Sequence, residues 1–250
     1  MTSVSDAFQD QRPAARMAQM LNAPVIAQAL YVAASLGLAD LLRSGARHVD
    51  ELARTTGTHG PSLYRLLRML AGEGVYHEVH DGEFVLTPLG ETLRSDSPDS
   101  VRDRALYLAA PEVWAAWGHF RHSILTGHAA FADLYGTSFY AHMAGHPQVG
   151  VPFNRWMTHS SELDNAAIVA SYDFAPFRTV VDIGGGQGAT LAAILHTHPA
   201  LRGILLDLPQ VVAHATLLQA PEVVDRCELV GGDMVQAVPP GGMPMSLKWC

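Results

Sequence analysis

The chain has 250 residues, 48% hydrophobic and 16% charged, a balance that excludes a disordered polymer and allows a large buried core. Lysine and arginine number 16 against 24 aspartates and glutamates, and the formal net charge of −8 gives no electrostatic footprint for nucleic acid or anionic lipid. Cys227 and Cys250 lie outside any CxxC pair and form no disulfide framework, which fits a reduced, cytoplasmic protein.

The opening residues, to about Ala15, read as frayed, and Met1 to Met17 has no apolar segment of signal-peptide type. From Ala14 to Leu42 the content of Ala, Leu and Met predicts two successive apolar-faced helices broken at Pro24. The apolar stretch Ala23 to Ala39 falls short of the ~20 residues of a membrane span, contains Gln28 and Gly37 and lacks basic flanks, so a buried or interface helix is expected and no membrane. His48 to Thr56 predicts a short helix, Gly57 to Gly60 a turn, and Pro61 the start of a helix reaching Leu70 with Leu63, Leu66, Leu67 and Leu70 on one face. Val75 to Leu86 predicts a hairpin turning at Asp81-Gly82. Helix, turn, helix and hairpin is the order of a winged helix, on which Tyr64, Arg65 and Arg68 would face a duplex. Two arginines on an acidic chain make a poor phosphate footprint. Self-association is therefore the expected use of this first domain, residues 14–98, with no nucleic-acid partner.

Residues 99–178 read as a helical connector, mostly helical from Asp99 to Ser171. Aromatic residues recur through it, among them Trp114, Trp117, Phe139, Tyr140, Phe153 and Trp156. Such residues serve either as core or as the lining of a pocket for a flat organic molecule. From Thr179 the character changes. Val180 to Ile183, Gly203 to Leu208, Cys227 to Val230 and Met245 to Trp249 read as strands, with helices at Ala189 to His196 and Pro209 to Leu218. This alternation predicts a parallel, doubly wound sheet over residues 179–250 and an α/β fold class.

Between the first of these strands and its helix lies Gly184-Gly185-Gly186-Gln187-Gly188-Ala189. Glycines there let the chain turn sharply and let a ligand approach the backbone. Residues 184, 186 and 189 fit G-x-G-x-x-A, so a nicotinamide cofactor is one reading. Three acidic residues favour another. Asp182, inside the strand, would repel a pyrophosphate and attract an ammonium or sulfonium charge. Asp207 ends the second strand, where a carboxylate accepts both ribose hydroxyls in either cofactor class. Asp233, in Gly231-Gly232-Asp233-Met234, is placed to accept from an adenine amino group, with Met234 against the ring. One such aspartate is ordinarily a cap or turn former; three after successive strands suit a cationic nucleoside without phosphates. His196 and His198, at a helix end, read as solvated surface, and no metal is expected.

Val180 to Ala189, Leu205 to Val211 (LLDLPQV), Gly231 to Met234 (GGDM) and Leu247-Lys248-Trp249 together resemble the small-molecule O-methyltransferases, both the plant phenolic enzymes and their bacterial natural-product relatives. The resemblance covers nearly the whole chain. It implies an N-terminal helical, winged-helix-like dimerisation domain, then a Rossmann-like methyltransferase domain that is incomplete at its C-terminus. It further implies S-adenosyl-L-methionine as cofactor, a small aromatic hydroxylated substrate and a homodimer. By the same resemblance Gly184 and the neighbouring Gly186 lie beside the cofactor, Asp207 binds ribose, Asp233 and Met234 meet adenine, and Lys248 stands at the cofactor rim. Phe153 and Met157 match an FNxxM stretch that lines the pocket, a core role being the alternative. In that family the histidine that deprotonates the substrate hydroxyl lies beyond the LKW motif. The chain ends at Cys250, so the resemblance implies no assignable catalytic residue, an apolar sheet edge at Met245 to Trp249 and doubtful activity of this length of chain. A non-methylating cofactor-binding relative and a winged-helix regulator are the alternatives in function.

Overall fold

Pro13 needs no partner for a backbone N–H and sits in the first turn of α1 (Pro13–Ser35). The computed structural model, which describes residues 12–240 and 242–245, carries this helix straight through Pro24. The two helices expected on either side of Pro24 are therefore one. A mid-helix proline deletes a single i→i−4 hydrogen bond, and the surrounding Ala, Leu and Met are strong helix formers. The interruption comes instead at Gly37, whose φ of 64° only glycine adopts readily, and α2 (Leu38–Leu41) follows. By length and composition α1 is apolar enough to cross a membrane. Ala29 and Ala33 face the core, whereas Met17, Met20, Leu21 and Val25 are exposed.

After β1 (Arg47–His48), the His48 imidazole accepts the Asp50 N–H at 3.2 Å and caps α3 (Val49–Thr56). A turn leads into α4 (Gly60–Gly72), which buries Leu63, Leu67 and Leu70. β2 (Tyr76–His80) and β3 (Glu83–Leu86) form the expected hairpin, with Gly82 at φ 77°, and the antiparallel sheet runs in the order β1-β3-β2. Leu52, Leu67, Leu70, Tyr76 and Phe84 fill the core between helices and hairpin. This is the winged-helix arrangement. Arg68, on its second helix, is held by the Tyr64 hydroxyl at 3.1 Å and by Glu78 at 3.3 Å, so its charge is balanced within the fold.

After α5 (Pro88–Glu91), which closes the first domain, the connector is helical, as expected: α6 (Arg102–Leu108), α7 (Pro111–Gly118), α8 (Phe120–Thr126), α9 (Ala130–Tyr135), α10 (Phe139–Gly145) and α11 (Pro147–Ser171). The Gln28 amide reaches from α1 to the Ala109 carbonyl at 3.2 Å, just past the end of α6. The chain divides into two compact units, the second beginning at Tyr140.

In the second unit β4 (Thr179–Ile183), α12 (Ala189–Thr197), β5 (Arg202–Asp207), α13 (Pro209–Val212), β6 (Cys227–Gly231) and β7 (Met243–Met245) build a parallel sheet in the order β6-β5-β4-β7. Register is fixed by pairs such as Asp182 with Leu205 and Leu205 with Leu229. Val180, Leu191, Ile194, Leu195 and Leu205 are the buried centre. The helix expected over Pro209 to Leu218 is α13 followed by a 3-10 turn at Thr216–Gln219. Its buried residues Val212, Ala215 and Leu218 recur every third position, a spacing that suits three residues per turn rather than 3.6. The fourth strand begins at Met243, two positions earlier than expected, and pairs with β4 from Val180 to Asp182. The remainder of the expected strand, Lys248 included, lies outside the described residues.

Candidate functional site

The sheet is laid down outward from β4 through β5 to β6, and then β7 returns to the other flank of β4. The carboxyl end of β4 is therefore the place where strand order reverses, and open α/β sheets bind ligands in the crevice there. The glycine bend occupies that position. Gly184, Gly186 and Gly188 have φ values of 68°, 62° and 80°, so the three turns of direction need residues without a Cβ. The Gly184 N–H still donates to the Leu206 carbonyl at 2.8 Å and extends the ladder by one step before the chain leaves the sheet.

Two carboxyl groups flank the bend. Asp207, at the end of β5, accepts the Gly186 N–H at 2.8 Å on one oxygen and the Leu208 N–H at 2.7 Å on the other. Each carboxylate oxygen has a second lone pair, so the group can still accept ribose hydroxyls. Burial raises its pKa, and the two N–H donors pull it back down. Asp182 is only 2% exposed and lies directly beneath Gly185, where any Cβ would overlap its carboxyl group. Its Oδ2 is buried without a hydrogen-bond partner among the described residues. Burial, and then the nearby Asp207, push its pKa up to about 7.

Met234 stands over the first glycine, with Sδ 3.4 Å from the position a Gly184 Cβ would take. Asp233, its neighbour, is exposed and uses both oxygens in its own turn, accepting the Val235 N–H at 2.9 Å and the Gln236 amide at 3.3 Å. The Gly232 N–H donates to the Asp207 carbonyl at 2.9 Å and keeps this loop beside β5. Asp182, Gly184, Gly186, Asp207 and Met234 are thus gathered at one place, with Asp233 at its margin.

Phe153 and Met157 are half-buried on α11. Phe153 meets Tyr140 and Trp156 edge-on, with centroids 6.3 and 6.4 Å apart. The residue after Met157, Thr158, donates to Gln187 of the bend at 3.4 Å, and the buried Asn165 amide donates to the Ala189 carbonyl at 3.2 Å at the start of α12. α11 therefore runs along the bend. Thr158, Asn165 and Gln187 were not singled out in the sequence; the one signal was a set of amide and hydroxyl side chains in segments otherwise read as core.

Of the histidines at the end of α12, His196 is exposed, but His198 packs against Phe174 with ring centroids 5.5 Å apart and is not the solvated residue expected. In the first unit, His119 and His122 stack at 4.9 Å and share Asp133, at 2.9 and 3.7 Å. All three are partly or fully exposed, and neither ring has an outer partner among the described residues of the kind that orients a metal-ligating histidine.

Residues 18–96 match the O-methyltransferase dimerisation domain family, and residues 117–250 match the O-methyltransferase domain family. Phenazine O-methyltransferase of Lysobacter antibioticus is 42% identical over 225 residues, covering 90% of this chain and 66% of the relative. The mitomycin biosynthesis 6-O-methyltransferase of Streptomyces lavendulae is 41% identical over 217 residues, covering 86% of this chain and 62% of the relative. The chain thus spans a little under two thirds of the length of both. Among solved structures, an O-methyltransferase from neocarzinostatin biosynthesis in complex with S-adenosylmethionine and 2-hydroxy-5-methyl naphthoic acid superposes with a TM-score of 0.76 at 35% identity, over 87% of this chain and 67% of that one.

Proposed function

This chain belongs to the O-methyltransferase family, and from that premise we propose that its glycine bend binds S-adenosyl-L-methionine for transfer of a methyl group to a hydroxyl of a small aromatic or polyketide-like metabolite. The observation that carries the reading is Asp182, a buried carboxyl group beneath the bend whose Oδ2 has no partner among the described residues, next to the Asp207 carboxylate. A dinucleotide would bring its pyrophosphate over Asp182, with no cation to offer it. A donor with a cationic end, a ribose and an adenine brings charge of the opposite sign and no phosphate. That disfavours the nicotinamide reading.

The donor supplies an electrophilic methyl on a positively charged sulfur. The residues of the chain bind and orient it: Asp207 accepts the ribose hydroxyls, Met234 packs on the adenine face, and Asp233 stands near the adenine amino group. Gly184 and Gly186 keep the approach to the backbone open. Phe153 and Met157, on the helix alongside the bend, present an apolar wall to a flat acceptor, a role supported by the aromatic acid bound in the neocarzinostatin relative. Holding the acceptor oxygen about 3–3.5 Å from the methyl, in line with the bond that breaks, turns a bimolecular encounter into a unimolecular one. The proton acceptor is not assigned among the described residues.

The match of residues 18–96 and the exposed apolar side of α1 support a homodimer, and an interface there gives that surface an aqueous role in a cytoplasmic enzyme. Transfer is tested by incubating the purified chain with methyl-labelled S-adenosylmethionine and hydroxylated naphthoates, phenazines and phenols. Label in an extracted aryl ether supports the proposal. Donor that is bound and left unreacted with every acceptor overturns the transfer.

A further inference from the structure

Asp182 is unusual among the acids of this chain. Its neighbour Asp207 has two backbone N–H donors, whereas Asp182 has none among the described residues, although it is the more deeply buried. A buried carboxylate without a donor or a cation loses its hydration and gains nothing in return; the neutral acid loses far less. The titratable groups that face it are Asp207 from β5 and Cys227 from β6, whose thiol is itself pushed up to about 11 by burial and then by Asp182. Neither is a cation. Opposite it in the sheet, β7 carries Pro244 and Met245, which have no ionisable group. From α11, the neutral Thr158 and Asn165 hydrogen-bond to the bend and to the start of α12. Nothing described on the protein side balances a negative charge at this position.

Resting on the S-adenosylmethionine reading above, we propose that Asp182 is the charge selector of the cradle: it keeps its proton while the cradle is empty and releases it to solvent when a cationic donor docks. The O–H bond of the carboxyl breaks, the proton passes to buffer, and the carboxylate so formed pairs with the positive end of the ligand. Binding of the donor and loss of one proton are then a single event. Affinity for the cation rises with pH for as long as the empty site is protonated, and it levels off once the carboxyl ionises unaided. A ligand without a cationic end gives no proton back and gains nothing from the carboxyl.

The test is isothermal calorimetry of the full chain with S-adenosylmethionine, in phosphate and in Tris, which differ in ionisation heat. At about pH 6 the difference between buffers should report close to one proton released per donor bound, falling toward zero by about pH 8.5, while Kd tightens roughly fivefold between about pH 6 and 7 and roughly tenfold by about pH 8.5. The infrared carboxylic C=O band of the empty protein should disappear on binding. Asp182→Asn, folded by circular dichroism, should bind more weakly at high pH and show neither proton release nor pH dependence. Binding without net proton exchange at about pH 6, or proton release that persists in Asp182→Asn, overturns the proposal while leaving the cofactor reading intact. No binding of S-adenosylmethionine at any pH overturns both.

Discussion

The Asp207 carboxylate accepts the Gly186 N–H at 2.8 Å, so one side chain at the end of β5 fastens the bend that follows β4. The same group holds the Leu208 N–H at 2.7 Å and shapes the entry to α13. Replacing it by alanine leaves both N–H groups without this acceptor. Hydrogen bonds to a charged group contribute about 1.5–3 kcal/mol each, so Asp207→Ala should lose roughly 2–3 kcal/mol of stability by urea unfolding. Its affinity for S-adenosylmethionine should fall by at least roughly tenfold by calorimetry. An unchanged Kd would remove Asp207 from the cofactor site.

The bend also excludes side chains for steric reasons. A Cβ on Gly185 overlaps the Asp182 carboxyl, and one on Gly188 overlaps Leu218 at a φ of 80°. Gly188→Ala combines strain with crowding and should destabilise by about 2–4 kcal/mol. Gly185→Ala should cost less, about 1–2 kcal/mol, because crowding against the Asp182 side chain is there without the positive φ of Gly188. It should nonetheless weaken donor binding by displacing Asp182. Thermal unfolding ranks the two variants, and calorimetry on folded Gly185→Ala checks the second effect.

Stability should depend on pH through Asp182. Its carboxyl binds a proton more tightly in the folded chain, where burial pushes its pKa up to about 7, than in the unfolded chain, near the ordinary aspartate value of 3.8. Between those values the folded state holds more protons, so unfolding free energy falls as pH rises and the full penalty is present above about pH 7. At about 1.4 kcal/mol per pKa unit the upper bound is on the order of 4 kcal/mol. Asp182→Asn should flatten this slope and be the more stable protein at about pH 8, as read by chemical unfolding across the range.

Arg226 braces the back of the same unit. Its guanidinium donates to the carbonyls of Leu201 at 2.9 Å, Leu195 at 3.0 Å, His198 at 3.3 Å and Glu222 at 2.7 Å. Two of these carbonyls belong to the C-terminal turn and cap of α12, where orphan acceptors gather. Lysine cannot reproduce the planar fork. Arg226→Lys should therefore destabilise by about 2 kcal/mol and Arg226→Ala by about 3 kcal/mol, measured in urea.

Self-association is tested at Leu21, which is 70% exposed on α1 within the segment matching the dimerisation domain. Leu21→Arg adds like charge to an apolar face and should shift the mass read by light scattering from dimer toward monomer, with helix content unchanged. A dimer as tight as that of the wild type would place the interface elsewhere.

Much of this was legible in the residues. Asp81-Gly82 marked the hairpin, and the glycines with Asp182, Asp207 and Met234 marked the bend, because turns and close approaches demand particular residue types at particular positions. Pro24 misled, since a proline removes one bond from a helix that alanine and leucine otherwise sustain, and only the fold shows that α1 absorbs it. The stretch after α13 differs because the alternation of strand and helix gives no turn pitch, and buried residues at every third position suit a 3-10 turn. Thr158 and Asn165 were illegible, since their meaning comes from the passage of α11 beside the bend, a relation between segments far apart in sequence. So was the surrounding of Asp182: the sequence suggested the acid, but only the packing shows that its Oδ2 meets no donor among the described residues.

The most direct measurement is equilibrium binding of S-adenosylmethionine and, in parallel, of NAD to the folded chain at about neutral pH, where the Asp182 carboxyl beneath the glycines separates a cationic donor from a pyrophosphate. The expected result is saturable binding of one S-adenosylmethionine per chain and no binding of NAD at the same concentrations. Binding of NAD, or a folded sample that takes up no S-adenosylmethionine, would contradict it.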